Sequence, residues 1–178
     1  MRRILISLLF GLNLAAIIII WWLGSSVLLT NGDNNQLLIA FGRLAGLLGA
    51  YLILVQLLLI SRWPFIEREF GFDKLNKLHR HLGLGLGFGL LAHPLLLTIG
   101  YAGLNGHSIW FQFFELLISR DGVWQAFIGL LIILLAVILT RPFFRQRVKY
   151  EAWHAVHLSI YVGIVLILSH QTKYADVS

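Results

Sequence analysis

Seven histidines and no cysteine stand out in an otherwise apolar chain. Without a thiol there can be no disulfide, thiolate zinc site, iron–sulfur cluster or haem attached through a C-x-x-C-H motif. Imidazole remains as the metal-ligating group, and neutral imidazole is a good ligand for iron. His107 stands apart and reads as a solvated loop residue. The other six fall into two groups, His79, His81 and His93, then His154, His157 and His170.

Helical geometry selects among them. His79 and His93 are fourteen residues apart, which on a helix is about 21 Å of rise and about 40° of rotation, so both look the same way. His81 lies about 120° from His93, a poorer match. His157 and His170 are thirteen apart, about 20 Å of rise. Two helices running side by side in one direction would each offer an imidazole near either end, and a planar macrocycle wedged between them takes one from each. The expected pairs are His79 with His157 and His93 with His170, giving two bis-histidine b-type haems stacked across a membrane. A spacing of thirteen leaves about 140° between the second pair of rings on an ideal helix. That helix is therefore expected to carry a kink, a π-bulge or a strong tilt near Gly163.

Two other readings of the histidines remain open. His79-x-His81 with His154-x-x-His157 is a possible zinc or copper site, but it lacks a carboxylate or thiol apart from Glu151 and leaves His93 and His170 without a role. Histidines in membrane spans also serve as proton relays in transporters.

The elements that must position these rings are membrane helices. Of 178 residues, 58% are hydrophobic and only 12% charged, with a mean hydropathy of +0.82; disorder and an ordinary water-soluble enzyme are excluded. Five apolar stretches approach the length of about 20 residues that a helix needs to cross a bilayer: Ile4–Leu23, Leu37–Ile60, Leu82–Tyr101, Trp124–Thr140 and Trp153–Ser169. With their flanks they predict helices over about 4–23, 37–60, 78–101, 123–140 and 151–170, all in one domain covering residues 1–178. Continuous apolar runs are not the alternating pattern of a membrane barrel. The first run is too long for a signal peptide's core and no A-x-A site follows it.

Charge gives the orientation. Eleven of fourteen Lys and Arg flank the first stretch on its N-terminal side or lie between the second and third and between the fourth and fifth stretches. The positive-inside rule places that side, and the N-terminus, in the cytoplasm. The net charge of +6 is thus an orientation signal and not a nucleic-acid patch. Trp63, Trp110, Trp124 and Trp153 fall near span ends, as interfacial anchors do.

Between the spans, residues 30–35 read as a turn-rich outer connection, and residues 105–121, with Trp110, Phe111, Phe113 and Phe114, as a short helix in the outer interface. Gly83, Gly85, Gly87 and Gly89 give two overlapping G-x-x-x-G pairs, suited to a macrocycle against the backbone or to close helix packing. Pro94, directly after His93, is expected to kink its helix. Arg43, about 9 Å below the outer end of the second span, reads as a buried cation facing a haem propionate or as one snorkelling to the headgroups. Arg80 reads as a partner for an inner propionate.

"HRHLG" from His79 to Gly83 with His93 fourteen on, and "YEAWHAVH" from Tyr150 to His157 with His170 thirteen on, resemble the ferric reductase-like transmembrane domain of ferric reductases and NADPH oxidases. "GRLAGLLG" from Gly42 to Gly49 resembles the start of that family's second helix. The resemblance implies six helices, two haem b groups and a cytoplasmic domain binding FAD and NAD(P)H. The unequal spacings of fourteen and thirteen are part of the family pattern. Here the chain stops at Ser178 after the fifth stretch, so the expectation is an all-α, five-helix integral membrane protein whose sixth helix and flavin domain lie in a longer chain or a partner. The membrane subunit of the bacterial methionine sulfoxide reductase system is similar to the second case.

The function implied is electron transfer across the cytoplasmic (inner) membrane, from a cytoplasmic flavin reductase fed by NAD(P)H to an outer acceptor such as ferric iron, oxygen or a periplasmic protein. Such a chain is the membrane portion of an oxidoreductase. The alternative is a non-catalytic haem-binding anchor in a quinone-linked or methionine sulfoxide reductase-type complex.

Overall fold

In lipid a backbone must satisfy its own hydrogen bonds, and long apolar runs do so here as helices. The computed structural model describes residues 2–175, which form helices and turns and no strand. In order they are α1 (Arg2–Asn31), α2 (Asn34–Ile60), α3 (Pro64–Phe70), α4 (Phe72–Asn105), α5 (Ile109–Ser119), α6 (Val123–Leu139), α7 (Pro142–Arg145) and α8 (Tyr150–Ala175). The chain divides at Gly106 into two compact units, α1–α4 and α5–α8.

In the first unit α2 and α4 pack along their length as an antiparallel pair with a constant register. A Cβ placed on Gly100 would meet Ile39, one on Gly42 would meet Leu97, one on Gly46 would meet His93, and one on Gly49 would meet Leu90. Gly42, Gly46 and Gly49 share one face of α2, since spacings of four and three close a helical turn. Small residues on such a face let two backbones approach closely in a membrane.

α1 leans on α2 through two side chains that reach backbone carbonyls. Trp21 Nε1 donates to Ala40 O at 2.7 Å and Tyr51 Oη to Phe10 O at 3.2 Å. Arg3 also lies 3.7 Å from Glu69 of α3. Most of α1's Leu and Ile side chains are exposed, as befits a helix whose solvent is lipid.

The helices run past the expected bounds. α1 continues to Asn31, and only Gly32 and Asp33 separate it from α2, so the turn-rich connection expected over residues 30–35 is mostly helix. Asp33 caps α2: its Oδ1 accepts from Gln36 N at 2.9 Å, while Gln36 Oε1 accepts from Asp33 N at 3.2 Å, a reciprocal box that satisfies two orphan donors. α4 begins after Gly71 (φ 81°) and ends at Gly106 (φ 66°), both in conformations that favour glycine. It runs through Pro94 without interruption.

In the second unit α6 and α8 cross at two glycines. A Cβ on Gly129 would lie 2.6 Å from Gly163 O, and one on Gly163 would lie 3.0 Å from Gly129 O. α8 is α-helical from Tyr150 to Ala175, so of the kink, π-bulge or strong tilt expected near Gly163 the π-bulge is not formed. Gly163 instead serves the close crossing.

The short helix expected over residues 105–121 is present as α5, and its surface is inside out. Gln112 is 2% exposed, whereas Trp110 is 75% and Ile118 81% exposed. Four helices, α1, α2, α4 and α8, are each long and apolar enough to span a membrane. α6 has only 17 residues, about 25 Å, and counts toward a fifth span only together with α5, from which it turns by 109°. The chain is therefore a multi-pass helical membrane protein with four to five spans.

The α6–α8 crossing tolerates no added volume. Gly129→Ala is expected to lower stability by about 1–3 kcal/mol, the usual cost of overpacking. Gly24→Ala, on α1 with no neighbour within 4 Å of the new methyl, should be neutral or gain up to about 1 kcal/mol. Thermal unfolding of the two variants in detergent distinguishes these outcomes.

Candidate functional site

The two histidine ladders lie one in each unit: His79 and His93 on α4, His157 and His170 on α8. All four are half-buried, while His81 and His154 are exposed.

On α4 both rungs are tied to α2. His93 Nδ1 donates to Gly42 O at 2.8 Å. A carbonyl only accepts, so Nδ1 carries the proton and the neutral ring keeps its lone pair on Nε2. Gly46 makes room for the ring, since a Cβ there would lie 2.5 Å from Nδ1 and 2.8 Å from Cε1. About four turns away from that bond and nearer the start of α4, Gln56 Nε2 donates to the backbone carbonyl of His79 at 2.9 Å. Gln56 is itself buried, and Gly83 leaves space beside its amide.

The flank of α4 beside His93 is open. Gly89 and Gly85 lie about 40° and 80° around the helix from His93, and a Cβ on either would meet nothing within 4 Å. Gly83 packs against Gln56. Within the four-glycine run, Gly83 is thus used for close packing, while Gly85 and Gly89 leave an open backbone surface.

On α8 His157 sits in a stack of rings. His157 lies parallel to Trp153, centroids 5.3 Å apart and planes 18° apart. The Arg145 guanidinium is 4.9 Å from the other ring partner, the Trp153 centroid. His154 stacks on Tyr150 at 5.7 Å with an 11° interplanar angle.

His81 turns its Nδ1 to Lys77 O of its own helix at 2.6 Å. His107, expected to be merely solvated, lies 3.5 Å from Glu115 Oε2 and against Phe111 at 4.6 Å between ring centroids. Among the described residues no three or more His, Asp or Glu side chains form a group able to hold a metal ion.

Arg43 and Arg80 are both exposed, and among the described residues neither forms an ion pair. Arg43 was expected either as a buried cation facing a haem propionate or as one snorkelling to the headgroups; it is exposed, about 100° around α2 from Gly42 and therefore off the face that packs on α4. Sequence reasoning also passed over Gly46 and Gln56, and read Trp153 only as an interfacial anchor. The four-and-three glycine spacing of α2 was the available signal for the first, and an amide within an apolar run for the second.

A family of sequences described as ferric reductase like transmembrane component matches residues 45–168, well over half of the chain, and the protein belongs to that family. His79, His93 and His157 fall inside the matched stretch; Arg43 lies just before it and His170 just after. No curated protein and no solved structure matches the chain.

The Arg145–Trp153 contact is a cation–π pair, worth about 0.5–1 kcal/mol at an exposed site and more when desolvated. A double-mutant cycle with Arg145→Gln and Trp153→Leu, read by thermal unfolding, should return a coupling of about that size. Zero coupling would leave the stack without energetic content.

Proposed function

We propose that the chain carries electrons across the cytoplasmic membrane through two b-type haems, taking them from a flavin reductase fed by NAD(P)H and passing them to an outer acceptor such as ferric iron, oxygen or a periplasmic protein. His79 and His157 would hold the inner haem, and His93 and His170 the outer one. Haem iron supplies reversible one-electron chemistry when bound, and the protein contributes the ligands, their orientation and the surrounding charge.

The observation that carries this reading is the state of His93, a half-buried imidazole whose proton is committed to a backbone carbonyl and whose Nε2 retains its lone pair. An imidazole prepared in that way is suited to ligate a metal. The donor set agrees, being imidazole throughout with no thiolate, and the open glycine flank of α4 is suited to a flat macrocycle. Membership of a ferric reductase-like family supports transmembrane electron transfer in general terms.

The chain's other residues fit around this core. Arg43 and Arg80 are the cations available to haem propionates. The basic segments around α3, α7 and the N-terminus would face the cytoplasm by the positive-inside rule, where they offer a docking surface to an acidic donor protein. The bilayer closes the apolar surface of α1.

Purified protein should show a Soret band and two haems per chain, both reducible by a flavin reductase with NAD(P)H. His93→Ala should remove about half of the haem and leave the remainder reducible, and His79→Ala should affect the other half. A colourless wild-type preparation would overturn the reading. Haem that never accepts electrons would favour an anchoring role, and loss of neither haem in the variants would refute the pairing.

A further inference from the structure

The glycine at position 46 has a specific relation to the hydrogen bond that holds His93. In an α-helix the carbonyl of each residue already accepts from the N–H four residues on, so Gly42 O is bonded to Gly46 N–H. A second donor can reach that oxygen only through its remaining lone pair, past whatever side chain residue 46 carries. A Cβ at Gly46 would lie 2.5 Å from His93 Nδ1 and 3.2 Å from Cγ, in the space the ring occupies. The other α2 glycines on this face meet aliphatic side chains instead: Gly42 faces Leu97 and Gly49 faces Leu90.

We propose that Gly46 is a positioning residue for the outer-haem ligand: by carrying no side chain it opens the Gly42 carbonyl to His93 Nδ1, which sets the tautomer and the rotation of the imidazole. This rests on the reading of His93 as a haem ligand. The inference about its tautomer, however, concerns the protein alone. Hydrogen bonds of this kind orient a ligating imidazole and raise its basicity, and their loss weakens metal binding by about 10–100-fold.

Gly49→Ala is the matched control, because its methyl would press on Leu90 Cδ2 at 3.0 Å in the same α2–α4 interface without touching a histidine. The full chain, ¹⁵N-labelled at histidine in detergent, is examined in three forms: wild type, Gly46→Ala and Gly49→Ala. Haem-free protein gives the tautomer from ring ¹⁵N shifts, with His93 assigned by its loss in His93→Ala. Haem-loaded protein gives haem content and the low-spin electron paramagnetic resonance signals, which respond to imidazole orientation.

The expected result is an Nδ1–H tautomer at His93 in wild type and Gly49→Ala, lost in Gly46→Ala. Alongside it, haem affinity at the His93-dependent site should fall about 10–100-fold in Gly46→Ala only, with a shifted signal from whatever haem remains. Equal changes in both alanine variants would reduce Gly46 to a packing residue and overturn the proposal, as would an unchanged tautomer and signal in Gly46→Ala. If wild type binds no haem but the tautomer still depends on Gly46, the ligand reading fails while the positioning of His93 by Gly46 stands.

Discussion

A half-buried imidazole among membrane helices must place its one N–H on an acceptor, yet to be useful as a ligand it must keep the other nitrogen bare. Neighbouring helices offer few acceptors, because their carbonyls are already engaged along their own axes. The α2–α4 interface meets both demands through one backbone oxygen with a spare lone pair and one missing side chain. The antiparallel register follows from the same contact. With His93 seated at Gly46, Gly42 falls opposite Leu97, Gly49 opposite Leu90, and Gln56 at the carbonyl of His79. α4 is thereby fixed to α2 at two heights about 21 Å apart.

The second unit secures its inner histidine by other means. His157 is stacked face to face on Trp153, which is itself covered by Arg145. The backbone approach that glycine provides in the first unit is used here between α6 and α8, where a Cβ on either Gly129 or Gly163 would run into the other's carbonyl oxygen. Stacking holds the plane of a ring, whereas a hydrogen bond to a fixed carbonyl also decides which nitrogen is protonated. His93 and His157 are thus constrained in different degrees of freedom.

The all-helical class and most of the spans were legible because each is a property of one segment, its continuous apolar length, and so was the placement of His79 and His93 on one helix. What a single segment does not carry was missed. The partner of His93 is a backbone atom 51 residues away, and a carbonyl leaves no mark in a sequence except the glycine that uncovers it. The π-bulge considered at Gly163 was inferred from α8 alone, but the neighbour that requires a glycine there is Gly129 on α6. For Arg43, depth along α2 left burial and snorkelling equally open, and its exposure follows from rotation around the helix. In α5 the pattern of large apolar residues gave the helix, while the burial of Gln112 beneath them depends on what lies behind the helix.

Rotation also explains why residues of one type on one helix have different surroundings. His81 is about 120° from His93, exposed, and bonded to the Lys77 carbonyl of its own helix. A bond of that kind travels with α4 and leaves the ring's place relative to other helices undetermined. The bond from His93 crosses to α2, so the ring's position is fixed by two elements rather than one. The same 100° step per residue that aligns His79 with His93 and brings both to α2 turns His81 away, and an imidazole's surroundings here follow from that angle rather than from its depth in the membrane.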